Sequence, residues 1–357
     1  MPGGYRADRL NAAAERRLTV LELLEVGVPD AVGALEVCEN IDAKLQWVAH
    51  EFSRLSDIIL TLQTDAPASR AIRQLNDDAS TSAGGERPKV TIRDQGRLWL
   101  VKMQDRSDIS FLPAKEFVCM RLAQEAGIHA AESRLESVGH HQVFLSARFD
   151  RGGDPKKPTR KLFASAHTVL GLSLSAVMGN ALRSYLSLAD EMRVWCRGSP
   201  RLQADLRDLW MRMVFNGLVG NSDDHPRNHG LLFDEGHWGL APAFDITPSD
   251  YFKRVLAMST ASDGSSSASA QSFLACCERF EWGVEDAARW LKWASKLVAH
   301  EWAPRLRACG VAEASIEAAK PAFALSAELA SDDRVIEFAA EACLAKPTRS
   351  RTARRPR

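Results

Sequence analysis

Apolar residues change their spacing along the chain, and the changes divide it. Leu18, Leu21 and Leu24, then Ile41, Leu45, Val48, Phe52, Leu55 and Ile59, recur at three- and four-residue steps. That spacing predicts a mostly helical region over 1–79, interrupted at Pro29-Asp30. The polar stretch "STSAGGERPK" then leads into "KVTIRD" and "RLWLVKM", which alternate as strands. Alternation places Leu98, Leu100 and Lys102 on one face and Trp99, Val101 and Met103 on the other. "LPAKEFVCMRLAQEAGI" returns to a helical period, with Pro113 suited to its first turn and Gly127 to its stop. "HHQVFLSARFDR" alternates again and ends in the basic, Gly/Pro-rich "GGDPKKPTRK". Helical periodicity resumes through "LQADLRDLWMRMVFNGLVG", and again over 271–340, where Trp282, Trp290, Trp293, Leu297 and Trp302 are expected in the core.

Between the two helical tracts lies "VFNGLVGNSDDHPRNHGLLFDEGHWGLAPAFDITPS", where ionisable groups crowd between apolar runs. Leu231 to Phe233 and Trp238 to Leu240 suit the strands of a hairpin turning at Asp234-Glu235-Gly236. Such a hairpin would carry Asp245 back toward Asp223 and Asn228. An acid that orients a hydroxyl, with an Asn and a second acid as hard oxygen ligands for magnesium, suits phosphoryl transfer. The Asp-x4-Asn spacing of Asp223 and Asn228 is that of a kinase catalytic loop. Lys102, on an otherwise apolar strand, is the candidate for nucleotide phosphates, although a strand-end lysine also reaches solvent readily.

Composition narrows the class. The 357 residues can bury a sizeable core, and 46 basic residues balance 46 acidic ones, so no global field draws the chain to nucleic acid or membrane. Seven cysteines without a CxxC pair match neither a disulfide framework nor a zinc site, and the chain is expected in a reducing cytoplasm. No apolar run is long enough to span a bilayer. "YFKRVLAMSTASDGSSSASAQSF" reads as an exposed, weakly structured loop, and residues 341–357, with six basic groups from Lys346 to Arg357, as a disordered basic tail.

"GNSDDHPRNHG" followed by "LAPAFDITPS" resembles the bacterial HipA family of serine/threonine kinases, the toxin halves of toxin–antitoxin pairs. The resemblance runs over about residues 80–330. It implies an α+β, two-lobed protein-kinase-like fold: an abbreviated N-terminal region at 1–79, a small β-containing lobe at 80–147, a larger mainly helical lobe at 148–340, and the tail. "LLEVGVPDAVGALEV" resembles the end of the family's N-terminal domain, so the sequence is expected to start inside that domain, without its preceding strands. ATP and Mg2+ follow as cofactors, a protein hydroxyl as acceptor (aminoacyl-tRNA synthetases are among the family's substrates), and a small helix-turn-helix antitoxin as partner, with DNA reached only through it.

On the matching positions, Asp223 orients the acceptor hydroxyl and Asn228 and Asp245 hold the metal. Gly84, Gly85, Lys89, Lys102 and His225 lie on the phosphate side, while Ala147 and Phe149 meet adenine. Glu116 is suggested as an ordering partner for the lysine, against the plainer reading of an acid complementing a helix dipole. Ser82, with Ser80 as the neighbouring choice, is the candidate for autophosphorylation in the Gly-rich loop. Two other classes stay open. One is a pseudokinase that acts by binding its antitoxin. The other is a metal hydrolase using Asp223, Asp224, His225, His229, His237 and Asp245 as a mixed N/O ligand set.

Overall fold

A computed structural model describes residues 10–11, 14–63, 89–104, 110–173, 182–249 and 254–334. Ser80, Ser82, Gly84, Gly85 and the 341–357 tail lie outside the described residues. Among the described residues no helix is long and apolar enough to cross a membrane.

The smaller lobe is built on a five-stranded sheet, in the order β1 (His50–Glu51), β2 (Lys89–Asp94), β3 (Arg97–Met103), β5 (His141–Ala147), β4 (Ser133–Val138). Neighbours are antiparallel except β1 and β2. Alternation along β2, β3 and β5 turns Val90, Ile92, Trp99, Val101, Met103, Val143 and Leu145 to one face, where Leu55, Ile58 and Ile59 of helix Leu55–Gln63 cover them. Helix Leu112–Glu125 packs on β4 and β5, and its buried Val118, Cys119, Met120 and Leu122 belong to the core of the larger lobe. It therefore ties the lobes together.

The larger lobe gathers helices Tyr185–Trp195, Leu202–Leu218, Ala270–Cys276, Val284–Ala308 and Ala324–Ser331 around Trp210, Phe215, Phe273 and Phe280. A two-stranded ribbon, β6 (Arg151–Gly152) and β7 (Thr159–Arg160), leads to a three-stranded sheet, β8 (Phe163–Ser165), β9 (Gly230–Asp234) and β10 (His237–Leu240), beside them. β9 and β10 pair as the expected hairpin, Leu231 with Leu240 and Phe233 with Trp238. Glu235 and Gly236 both take positive φ at the turn, as a two-residue hairpin loop requires.

Three sequence expectations change. Among its described residues the N-terminal stretch forms short helices, Val20–Val26 and Ile41–Lys44, before Leu55–Gln63, and it adds β1 to the sheet edge. It is fastened by side chains: Lys44 Nζ donates to the carbonyls of Leu24, Glu25 and Val37 at 2.7, 3.1 and 2.6 Å. The Ser-rich segment is not an exposed loop. Leu256, Met258, Thr260 and Ala268 are buried, and Thr260 Oγ1 donates to the Ser267 carbonyl at 3.0 Å. Serine and threonine there bond the backbone in place of a ladder, and Ser269 caps the following helix. Trp302 stacks on Phe323 with centroids 4.2 Å apart, and Trp282 and Trp290 pack on Trp210, whereas Trp293 faces solvent.

Candidate active site

Lys102 stands on β3 with its ammonium between two carboxylates. Its Nζ lies 2.6 Å from Glu116 Oε1 and 2.5 Å from Asp245 Oδ1. Three separate elements meet here: a strand, a helix, and the segment after the hairpin. Glu116 comes just after the first helical turn, too far in to serve as a cap, and its carboxylate is buried against the lysine. Burial works against the Lys102 charge, but Asp245 and then Glu116 outweigh it and hold the pKa above the ordinary lysine value. Burial raises Glu116, with Lys102 opposing. Asp245 is held well below the usual carboxylate range against its burial, first by Lys102 and then by Lys89. Lys89, opposite Lys102 in the β2–β3 register, thus contributes charge to the same cluster.

Asp245 is positioned by backbone. Ala131 N donates to the Ala243 carbonyl at 2.9 Å, and Ala243 N donates to the His129 carbonyl at 2.8 Å. The segment carrying the acid is therefore stitched to the turn that follows the Glu116 helix. Asp245 itself has φ of 63°, a left-handed conformation that costs a non-glycine residue energy and persists only where the surroundings impose it.

The loop 220–229 is held from beneath. Gly220 has φ of 65°, and a Cβ there would come within 2.4 Å of the Ala322 carbonyl oxygen, so only glycine fits between the helix end and that backbone. Asn216 Oδ1 accepts from Asn221 Nδ2 at 3.0 Å, and Asn221 Oδ1 accepts from Asp223 N at 3.2 Å. Asn228 Nδ2 donates to the Asp223 carbonyl at 2.8 Å. That bond closes the loop and leaves Asn228 Oδ1 as its remaining oxygen, in a narrow cleft whose lining also includes Asp245. The Asp223 carboxylate projects outward, 77% exposed, with His225 Nε2 3.9 Å from Oδ1.

Asp224 points the other way. Its Oδ2 accepts from Tyr185 OH at 2.6 Å and its Oδ1 from Ala257 N at 2.5 Å. Tyr185 OH also meets Asn216 Nδ2 at 3.0 Å and His229 Nε2 at 3.2 Å. Because Tyr185 donates its one proton to Asp224, it accepts from Asn216 and His229. Burial raises the Asp224 pKa to about 6, opposed by the tyrosine, and lowers His229 to about 3. Asp224 and His229 are thus anchors of the loop.

The adjacent "RFDR" run is a clamped strand end. Arg148 makes a bidentate pair with Asp150 at 2.8 Å, Arg151 adds a contact at 2.6 Å, and Gly33 N donates to the same carboxylate at 2.9 Å. Phe149 packs with Phe163 and with Phe244, the neighbour of Asp245, at 6.2 and 5.6 Å between centroids. Ala147 is buried in the sheet, opposite Trp99.

The structure brings Lys102, Glu116, Asp245 and Lys89 into one charge cluster, and Asn228 into the cleft beside Asp245. It does not assemble the mixed ligand set of a metal hydrolase. Asp224 and His229 are used internally, His237 sits at the hairpin turn, and among the described residues no three His, Cys, Asp or Glu side chains gather as a metal site. An Asn–Asp oxygen pair does fit a hard, partly hydrated cation such as magnesium. Sequence reasoning missed Tyr185, Asn216 and Asn221. The only signal was the run of amides, Asn216 and Asn221, at the end of a buried helix.

Comparison with known proteins bears on family and fold. The family description "HipA-like C-terminal domain" matches residues 81–305. Toxin YjjJ of Escherichia coli is 30% identical over 183 residues, 48% of this chain and 39% of its own length. A serine/threonine-protein kinase toxin HipA of Shewanella oneidensis is 24% identical over 159 residues, 40% of this chain and 35% of the relative. This chain therefore matches about two fifths of the length of these curated relatives. Among solved structures, HipA of Shewanella oneidensis, in complex with HipB and operator DNA, superposes with a TM-score of 0.68 at 17% identity, covering 97% of this chain and 86% of that one. The Helicobacter pylori proinflammatory kinase CtkA superposes at 0.51 with 14% identity, covering 73% of this chain and 93% of that one. With its protein-kinase-like fold and a family match over more than half its length, the chain belongs to the HipA-like family.

Proposed function

We propose that the chain is a protein serine/threonine kinase of the HipA toxin type, transferring the γ-phosphoryl group of ATP to a protein hydroxyl. The observation that carries this reading is Lys102 held between Glu116 and Asp245, with Asn228 hung on the Asp223 carbonyl beside them. The ammonium spends two of its three N–H donors on carboxylates, and either one alone would keep it oriented. ATP phosphate takes the place of Asp245 on the ammonium, and Glu116 keeps the lysine pointed at it.

Asn228 Oδ1 and the freed Asp245 carboxylate would hold magnesium, which would supply positive charge against the phosphate oxygens. Asp223, projecting from an anchored loop, accepts a hydrogen bond from the acceptor hydroxyl and aims its oxygen at the γ-phosphorus. As the new P–O bond forms, the bond to the β-phosphate oxygen breaks, ADP leaves, and the hydroxyl proton passes to Asp223. Rigid anchoring of that loop through Asn221 and Asp224 supplies the positioning on which phosphoryl transfer depends.

In the same reading Gly84, Gly85, Lys89 and His225 contact phosphate, adenine meets the Ala147–Phe149 segment, and Ser82 is the autophosphorylated residue. The partner is a small helix-turn-helix antitoxin that carries the DNA contact, as HipB accompanies HipA and operator DNA in the Shewanella oneidensis complex. The chain acts in the cytoplasm on a protein substrate, an aminoacyl-tRNA synthetase being the expected class.

Incubation with γ-labelled ATP and magnesium, followed by phosphoamino-acid analysis, tests the proposal. Label on serine or threonine is expected. Tight antitoxin binding without any transfer would replace it with the pseudokinase reading.

A further inference from the structure

Most arginines on the described surface face a carboxylate within salt-bridge distance, as Arg16, Arg97, Arg279, Arg305 and Arg307 do. Two beside the catalytic loop do not. Arg227 lies in the loop, and its guanidinium donates to His167 Nε2 at 3.1 Å, an acceptor without charge. A guanidinium only donates, so Nε2 accepts and the ring is neutral, and burial and the Arg227 cation push the His167 pKa down. Arg183 precedes the Ser184–Tyr185 helix start, and its Nε is buried with no hydrogen-bond partner.

Arg183 leads into the helix whose Tyr185 hydroxyl donates to Asp224 at 2.6 Å, and its own carbonyl accepts from Ser259 N at 2.9 Å. It therefore stands beside the loop that carries Arg227 and Asp223, where burial and the Arg227 cation disfavour its charge. His225, at 3.9 Å from Asp223, adds a ring whose Nδ1 is buried and without a partner. Like charges held together with donors unsatisfied are costly unless an anion completes them. Among the described residues of the group the strongly exposed acid is Asp223, whose proposed role commits it to the acceptor hydroxyl.

We infer that Arg183 and Arg227, with His167 as the support that orients Arg227, form an anion subsite flanking Asp223 that recognises a negatively charged residue of the substrate next to the hydroxyl being phosphorylated. The inference deepens the kinase reading, since it names the substrate class for that site. The shared chemistry is an oxyanion, from an Asp or Glu side chain or from a residue already phosphorylated. Guanidinium groups suit both, through paired N–H donors.

Binding of labelled serine peptides to the full chain, followed by fluorescence anisotropy, tests this without requiring turnover. The set holds one peptide with neutral flanks, one with Glu and Asp, one with phosphoserine and one with lysine. Anionic peptides are expected to bind roughly tenfold tighter than the neutral one, the factor one charge-assisted contact supplies. Whichever of the carboxylate and phosphoserine peptides binds more tightly identifies the source. Arg183→Glu with Arg227→Glu should reverse the order toward the lysine peptide, which a merely structural role for these arginines would not produce. Wild-type binding that ignores peptide charge, or an unaltered preference in the folded double variant, overturns the inference. Because the readout is binding, charge-selective binding without phosphate transfer would sink the kinase reading alone.

Discussion

Lys102 and Asp245 are joined across the cleft by an ion pair of 2.5 Å, although one belongs to the small lobe's sheet and the other follows the hairpin of the large lobe. Glu116, on the opposite side of the ammonium, makes the lysine a shared centre for both lobes. Lys102→Met removes that centre. Two carboxylates are then left facing one another, and Glu116 takes up a proton. Transfer of γ-phosphate should fall by about 10²-fold or more, the usual effect of deleting one preorganised charge from a reacting site. The expected ATP half-saturation rises as well. Steady-state kinetics on the folded variant measures both.

Asp224 gives the pH dependence. Its folded pKa is raised to about 6 from an ordinary 3.8, so between those values the folded chain binds a proton that the unfolded chain has lost. Its contribution to stability therefore declines as pH rises through that window. Activity runs the opposite way, because the ionised carboxylate is what accepts from Tyr185 and Ala257 and steadies the loop. An acid limb near pH 6 is expected in the rate profile. Tyr185→Phe deletes the hydrogen bond that lowers this pKa, so the limb should move to higher pH. A limb that stays in place would separate Asp224 from it.

Gly220→Ala would set a Cβ against the Ala322 carbonyl at a positive φ. The backbone cannot yield locally, since Ser249 N also donates to the Gly220 carbonyl at 2.9 Å. A loss of about 2–4 kcal/mol in unfolding free energy is expected, within the upper range for backbone-strain mutations. Chemical denaturation checks it.

Asp150 serves the N-terminal stretch. Its pKa, about 2 despite burial, is held down first by Arg148, and its carboxylate ties Gly33 to the strand end. Asp150→Asn leaves Arg148 and Arg151 buried with a weakened acceptor, which should cost about 3 kcal/mol or more. Limited proteolysis should then cut first around residues 30–36. Unchanged cleavage would show that the clamp does not secure that stretch.

What could be read in advance follows physical range. The Asp223–Asn228 spacing, the hairpin and the strand lysine are local, and each shows in a few consecutive residues. The lysine's partners are not local. The helical period of "LPAKEFVCMRL" does not mark Glu116 as buried against a strand, and only the family resemblance paired it with the lysine, while Asp245 reaches Lys102 only once the hairpin folds. Tyr185 and Arg183 arrive at the loop from a separate helix, and an aromatic at an apolar position gives no sign that its hydroxyl is the hub of a polar network. The segment 254–269 misled because composition reports polarity, while its order comes from Ser and Thr bonding to backbone. β1, two residues long, is too short to show any period.

In the proposed kinase one site, with Asp223 and Asp245 in different roles, transfers phosphate to a hydroxyl. The most direct measurement compares γ-phosphate incorporation by wild type, Asp223→Ala, Asp245→Asn and, as a control acid on the hairpin, Asp234→Asn. Wild type and the control should incorporate label on serine or threonine, and the other two should fall by about 10²-fold or more while remaining folded. Equal incorporation by all four would remove Asp223 and Asp245 from the chemistry.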